Sequence, residues 1–409
     1  MKLIYFVQYF PPESASGLPL VMDMLEGFAL RGWNVDVYTT TPTRGVTKDQ
    51  RNEYKHKRKE VLFDGRVTVH RMPLYREGTG FIQRSIRYSI FSCQCLVKGL
   101  LVPADAIFTG GGPPTQGIVA GLIHKLTSKK VIFNPQDLFP DSLIYSGTVQ
   151  GDSAVVKAWR IFERFSYNNA DVIITISNDM KETISERCKI SKEVQVIRNW
   201  IDTESVIPVE RNNNTLFDEL KLPRDKFYVT YAGNLGKMQG IETLVSAAEL
   251  LKDKDDIQFV IFGNGSEEKN IRTLMDEKKL KNLHLFPLQP PNLVSEVYSM
   301  GDVSVVLCKL GTGKAGMPSK TWTIMGSGTG IIASFDLGGE MERIINEAEC
   351  GLCVEAENAV ALSNAILKCY NAPATVSEWG KNARKYAEIN LSKKTAVDQY
   401  INSIEKTMR

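Results

Sequence analysis

The run KLGTGKAGMPSKTWTIMGSGTGIIAS, residues 309–334, has glycine at six of its 26 positions and the triplet Pro318-Ser319-Lys320 at its centre. Glycine lets backbone N–H groups approach an anion closely, a helix opening near Ser319 would turn its positive end to the same point, and Lys320 adds an ammonium. Phosphate is the group that such a set suits. An ordinary strand–loop–helix connection, with Lys320 a solvated surface lysine, is the plain alternative.

Further stretches have the same character. YAGNLGKMQG follows a strand-like run and supplies Gly233, Asn234, Gly236, Lys237, Gln239 and Gly240; FVIFGNG supplies Gly263 and Gly265; FTGGGPP supplies Gly110, Gly111 and Gly112. The spacing in the first is GxxGxxxG, not the GxGxxG of dinucleotide sites, and no acidic residue closes the next strand to hold a ribose. NPQDLFPDS sets Gln136, Asp137 and Asp141 after another such run. Either carboxylate suits the orienting of a hydroxyl group; helix capping or a loop salt bridge serves equally.

These loops need a scaffold that collects them. Strand-like runs (KLIYFVQ, NVDVYT, VTVHRM, DAIFTG, KVIFNPQ, DVIITIS, VQVIRN) alternate with helical stretches, the first opening at Pro19 with Val21, Leu25 and Phe28 on one face and stopping at Gly32. Strands joined by helical crossovers make a parallel sheet covered on both faces. The polar run DTESVIPVERNNNTLFDELKLPRDK, residues 202–226, reads as an interdomain linker. A second series follows it: FYVTYAG, IQFVIFGNG, LHLFPL, VSVVLC, GIIASF and GLCVE. The fold class expected is α/β, with two Rossmann-like doubly wound domains over 1–205, rejoined by a helix at 391–409, and 206–390. Ligands of such sheets bind outside the carboxyl ends of the strands, so the cleft between the domains is where the chemistry is expected.

Composition sets the bounds. The chain of 409 residues is longer than one core usually organises, and 43% hydrophobic with 24% charged residues is ordinary for a globular protein. A net charge of +3 makes no case for a nucleic-acid partner. Seven scattered cysteines form no disulfide framework, and Cys350 and Cys353 have no second pair at zinc spacing, which fits a reducing compartment. The N-terminal apolar run is too short for a signal peptide and reads as a buried strand. Asp253-Lys254-Asp255 is a literal DxD, but it sits in a turn at the wrong end of its strand, so no metal is expected.

Taken together the motifs resemble the GT-B glycosyltransferases of family 4, over essentially the whole chain. Ser16 and Gly17 stand where that family has a glycine pair after its first strand, and Gly263-Asn264-Gly265 matches its later Gly-x-Gly. Its two donor-binding glutamates are replaced by Ala315 and Thr323. Pro318-Ser319-Lys320 together with Gln239-Gly240 is similar to a subset of bacterial enzymes that transfer N-acetyl-L-fucosamine in O-antigen and capsule synthesis. The resemblance implies a retaining transferase with a nucleotide-sugar donor, UDP-linked, and a polyprenyl-diphosphate-linked saccharide as acceptor. It implies no cofactor and no metal, with Lys320 and Lys237 on the donor diphosphate and Asp137 on the acceptor side. Such an enzyme would be cytoplasmic and peripheral on the inner face of the plasma membrane. Two rivals stand beside it: an epimerase of the same fold, and a silent nucleotide-sugar binding protein.

Two segments bear on the membrane. Gly80 to Leu101 mixes Phe81, Ile82, Ile86, Ile90, Phe91, Leu96 and Leu100 with Arg84, Arg87 and Lys98, as in an interfacial helix or a core helix with a charged edge. Thr43 to Glu60, with Lys55, Lys57, Arg58 and Lys59, reads as an anionic-lipid contact or a solvated loop.

Overall fold

A computed structural model describes the chain apart from Ser16, residues 76–80, Gly111, Ser146 and Ser191, and gives only backbone at Phe81, Ile82 and Ala315. Two compact units make it up: Met1–Arg198 with Ala396–Arg409, and Asn199–Thr395.

The first unit holds β1 (Lys2–Phe6), β2 (Asn34–Thr40), β3 (Lys59–Leu62), β4 (Val67–Met72), β5 (Ala106–Gly110), β6 (Lys130–Asn134), β7 (Val172–Thr175) and β8 (Val194–Val196). They lie in the order β3-β4-β2-β1-β5-β6-β7-β8. Every pairing is parallel except β3 with β4. That exception departs from the all-parallel expectation: KEVL is short and half-polar, the composition of an edge strand rather than a buried one. Residues before it form the helix Lys48–His56, started by a capping box in which Thr47 accepts from the Gln50 N–H and Gln50 returns the bond. The basic segment is therefore folded rather than a loop.

The final helix, Lys393–Met408, packs on this unit from Ala396 onward. Tyr400 meets Phe108 edge-on at 6.0 Å. Arg31 forks onto Glu405 at 2.7 and 2.9 Å. A Cβ on Gly27 would stand 2.1 Å from Val397, so glycine is what permits the close approach there.

The second unit is a six-stranded parallel sheet of β9 (Phe227–Asn234), β10 (Ile257–Asn264), β11 (Leu283–Phe286), β12 (Val303–Leu307), β13 (Gly330–Phe335) and β14 (Gly351–Glu355), in the order β11-β10-β9-β12-β13-β14. VSVVL and GIIASF are buried at every position, which is why their apolar runs are continuous rather than alternating. Ile241, Leu244, Ala248 and Leu251 form one buried face, as their spacing predicts.

The polar run at 202–226 is no linker; most of it is built into this unit. Asn214 is fully buried, donating to the Glu296 carbonyl at 2.7 Å and accepting from the Leu216 N–H at 3.1 Å. Arg211 reaches Asp302 at 2.7 Å, and Arg224 reaches Asp218 at 2.5 Å. Its polar groups satisfy backbone ends of the domain, and composition alone cannot separate that use from solvation.

Candidate functional site

In the second sheet the strand order reverses between β9 and β12, and a doubly wound sheet offers its ligand crevice beyond the carboxyl ends of the strands at that point. Lys320 is placed there. It opens the helix Lys320–Gly326, and its Nζ lies 3.7 Å from the centre of the Tyr231 ring on β9. The ammonium nitrogen is buried, and no hydrogen-bond acceptor meets it among the described residues. Loss of hydration pulls the group down from the ordinary lysine value to about 7. The Tyr231 hydroxyl points elsewhere, donating to the Asn234 carbonyl at 2.8 Å, so only the ring face attends the amine.

Gly233 lies next to that amine. Its φ is +139°, and a Cβ built on it would stand 3.0 Å from Lys320 Nζ. In register with it is Gly263, followed by Asn264 opposite Asn234. A Cβ on Gly263 would meet the Gly233 carbonyl at 2.4 Å, and one on Gly265 the Leu235 carbonyl at 2.4 Å. The two glycine turns thus share one strand end, closed by the Leu235 N–H bond to the Asn264 carbonyl at 2.9 Å. Gly240, at φ +60°, passes within 3.3 Å of the Cys308 carbonyl, measured from a built Cβ, and Lys309 N–H bonds the Met238 carbonyl at 3.2 Å. Gly236 and the short turn Lys237–Gln239 are thereby held at the end of β12, with Lys237 exposed and Gln239 half-buried.

The loop after β12 differs from expectation in its first half. Gly311 and Gly313 give their N–H groups to the two carboxylate oxygens of Asp336, each at 2.8 Å, and Leu310 gives its own to Glu357 at 3.0 Å. The anion that these amides cradle is supplied by the protein. Pro318 and Ser319, in the other half, are half-buried and exposed, and Ser319 makes no side-chain cap. The helix that follows has seven residues and few peptide dipoles to sum, so the ammonium rather than the helix end is the main positive charge. Thr323 sits half-buried inside that helix. Asp336, Glu357 and Tyr231 are the residues sequence reasoning missed; Asp336 ending the run IIASF was the available signal.

In the first unit, Gly17 precedes the helix Leu18–Leu30 with φ −84° and open space where a Cβ would be, so nothing local demands glycine there. Gln136 donates to Asn134 Oδ1 at 2.7 Å, just past β6. Asp137 is exposed by surface area, and partial loss of hydration raises its carboxyl above the ordinary value. Asp141 is buried and taken: Arg160 reaches it at 2.8 and 2.9 Å and Arg187 at 2.6 Å. Burial would raise this carboxyl, but the two guanidinium groups outweigh it and hold the value below normal. Of the two uses the sequence allowed for Asp141, its carboxylate has the salt bridge.

Asp253-Lys254-Asp255 precedes β10, at the amino end of a strand whose carboxyl end carries Gly263. No cluster of three metal-ligating side chains occurs among the described residues.

Comparison with known proteins gives the family. Residues 19–200 match the glycosyl transferase 4-like domain and residues 212–386 the glycosyl transferases group 1 family. The chain is a glycosyltransferase. It is 28% identical over 415 residues to WcaI of Escherichia coli K12, named as a colanic acid biosynthesis glycosyl transferase, covering 98% of this chain and 99% of that protein. Its structure resembles sucrose-phosphate synthase from Thermosynechococcus elongatus, at TM-score 0.77 and 20% identity, over 99% of this chain and 98% of that one. The Anabaena protein HepE, in complex with UDP and glucose, matches at TM-score 0.74 and 12% identity over 99% of both chains. These likenesses establish the GT-B fold of the glycosyltransferase. An epimerase or a silent binding protein is not favoured by two transferase domains.

Proposed function

We propose that this glycosyltransferase moves a sugar, with retention, from a UDP-linked donor to a lipid-linked saccharide during assembly of a bacterial surface polysaccharide. The observation that carries the reading is the buried Lys320 amine beside Gly233 at the β9/β12 crevice, with no hydrogen-bond acceptor among the described residues. A diphosphate leaving group gathers negative charge as its bond to the anomeric carbon breaks, and a positioned cation stabilises that charge without a metal. A charge-assisted hydrogen bond of this kind is worth roughly 1.5–3 kcal/mol. The new bond forms from the acceptor hydroxyl oxygen on the same face, and its proton passes to the departing phosphate. Lys237, Asn234, Gln239 and the Gly263 and Gly265 turn complete the donor side, with Pro318, Ser319 and Thr323 behind Lys320. Asp137 orients the acceptor hydroxyl, with Gln136 beside it, and Gly17 contributes from the loop after β1.

The UDP complex of HepE and the name of WcaI support the nucleotide and the pathway class. Pairing of Pro318-Ser319-Lys320 with Gln239-Gly240 supports an N-acetylated deoxyhexosamine such as N-acetyl-L-fucosamine. For the membrane, helix Phe81–Leu101 leaves Ile86, Ile90, Val97 and Leu101 exposed, spaced so that all four fall on one face. Its other face is core: Phe91 and Cys95 pack with Ile107 and Ile123, and the fully buried Arg87 bonds the Thr40 hydroxyl at 3.1 Å. No described helix is long and apolar enough to cross a membrane.

Purified protein is to be incubated with a panel of nucleotide sugars and a lipid-linked acceptor. Release of free UDP together with a glycosylated lipid from one donor is the expected result; an altered sugar with no transfer, or binding with no turnover, would overturn it.

A further inference from the structure

We propose that binding of the donor diphosphate is coupled to uptake of one proton by Lys320, so that the ion pair is made as the donor arrives. This rests on the reading that the β9/β12 crevice takes a nucleoside diphosphate.

The surroundings of the amine are those of a neutral group. Its Nζ is buried without an acceptor among the described residues, and it faces the Tyr231 ring at 3.7 Å. Helix Lys320–Gly326 packs against the helices Val294–Ser299 and Pro373–Asn390 and the strands β12 and β13. None of these brings a carboxylate to the amine. β12 and β13 have no titratable side chain. From Val294–Ser299 come Glu296 and Tyr298; the Tyr298 hydroxyl donates to the Ala232 carbonyl at 3.3 Å, and burial keeps it protonated. From Pro373–Asn390 come Glu378, Lys381, Arg384, Lys385, Tyr386 and Glu388. Arg384 bonds the Gly326 carbonyl at 2.6 Å, at the far end of the short helix, and Glu388 at 2.6 Å; Lys381 pairs with Glu378. On β9 the ionisable groups are Tyr228 and Tyr231, both kept protonated by burial.

Burial alone, with no charged neighbour contributing, sets the amine near neutrality. A diphosphate beside Gly233 reverses that balance, because an anion in contact favours the ammonium and restores the missing acceptor. With burial holding the free amine at about 7, most of the sites are uncharged at pH 8, so binding there takes up most of one proton. Affinity for the diphosphate should then fall toward tenfold per pH unit above neutrality. UDP, the probe used below, has chemistry of the opposite sign: its terminal phosphate ionises near pH 6, and pairing with a fixed cation would release a proton.

The test is titration calorimetry of UDP binding to the full chain at pH 8, in two buffers of different ionisation enthalpy. The difference in heat counts protons. Uptake of most of one proton in the wild type, its loss in Lys320→Met, and a flat affinity between pH 7.5 and 8.5 in Lys320→Arg are expected. The guanidinium of that last variant is charged throughout. Tight UDP binding by the wild type with equal heats in both buffers overturns the proposal while leaving the donor site standing. Uptake that persists in Lys320→Met assigns the proton elsewhere and overturns it too. Absence of UDP binding at both pH 6.5 and pH 8 overturns the donor-site reading itself.

Discussion

The two units each bury ionic side chains, and they treat them in opposite ways. In the first unit, Asp141 and Glu163 are matched by Arg160 and Arg187, the four side chains linked by contacts between 2.6 and 3.1 Å. In the second, Lys320 is buried against an aromatic ring with no counter-charge among the described residues. A paired cluster belongs to the architecture, since each charge has its compensation within the fold. An unpaired one is a cost to folding that a ligand can relieve, and such residues concentrate where a ligand binds. The same contrast separates two places near the donor loop. Asp336 already fills the cradle made by Gly311 and Gly313, whereas the Lys320 amine beside Gly233 meets no anionic partner among the described residues.

The contrast breaks most visibly at Asp141. Asp141→Ala leaves two guanidinium groups facing Glu163 alone, and stability should fall by about 3–5 kcal/mol, read as the urea midpoint of the full chain. A loss under 1 kcal/mol would mean the cluster is solvated rather than structural. Next is Lys320→Met, which should lower donor turnover by about 10- to 100-fold, since one charge-assisted hydrogen bond is worth roughly 1.5–3 kcal/mol. Turnover within twofold of wild type would remove Lys320 from the site.

Asp336→Ala sharpens the distinction between internal and external anion. It releases the Gly311 and Gly313 amides, and the loop should loosen, raising the donor KM by about tenfold with little change in kcat. An unchanged KM would show that the first half of the loop plays no part in donor binding.

The smallest effect is on stability without ligand. Between pH 7 and the ordinary lysine value, the unfolded chain holds a proton that folded Lys320 has released, so this group makes stability rise with pH across that window. Below pH 7 both states are protonated and the buried ammonium is at its most costly. Lys320→Met should therefore gain most in stability over wild type at pH 6.5, with the advantage shrinking by pH 9, as melting scans would show. A gap that widens with pH would contradict the assignment.

Much of this was legible in the residues, and the parts that were not share a cause. The inner strands of the second sheet, β12 and β13 above all, could be read because parallel strands covered on both faces are continuous apolar runs. β3 could not, because an edge strand of four half-exposed residues has no such run. The 202–226 segment was misread because asparagines and arginines that cap a domain are the same residue types as those of a solvated linker. Within the site, the glycine turns were visible as turns, and the register that sets Gly263 beside Gly233 follows from adjacent parallel strands. The partners of Asp141 were not visible, since Arg187 is 46 positions away and belongs to another helix. Nor was Asp336 as the occupant of the glycine loop. A cradle for an anion looks the same in sequence whether the anion is a ligand or a side chain.

The account stands or falls on whether the Lys320 amine is the group that meets the donor's phosphates. The most direct measurement is the dissociation constant of UDP for wild type and Lys320→Met at pH 6.5, where the wild-type amine is largely charged. A 10- to 100-fold weaker complex in the variant is predicted. Equal affinities would contradict the claim, and the second unit's crevice would then have to hold its ligand by backbone amides and Lys237 alone.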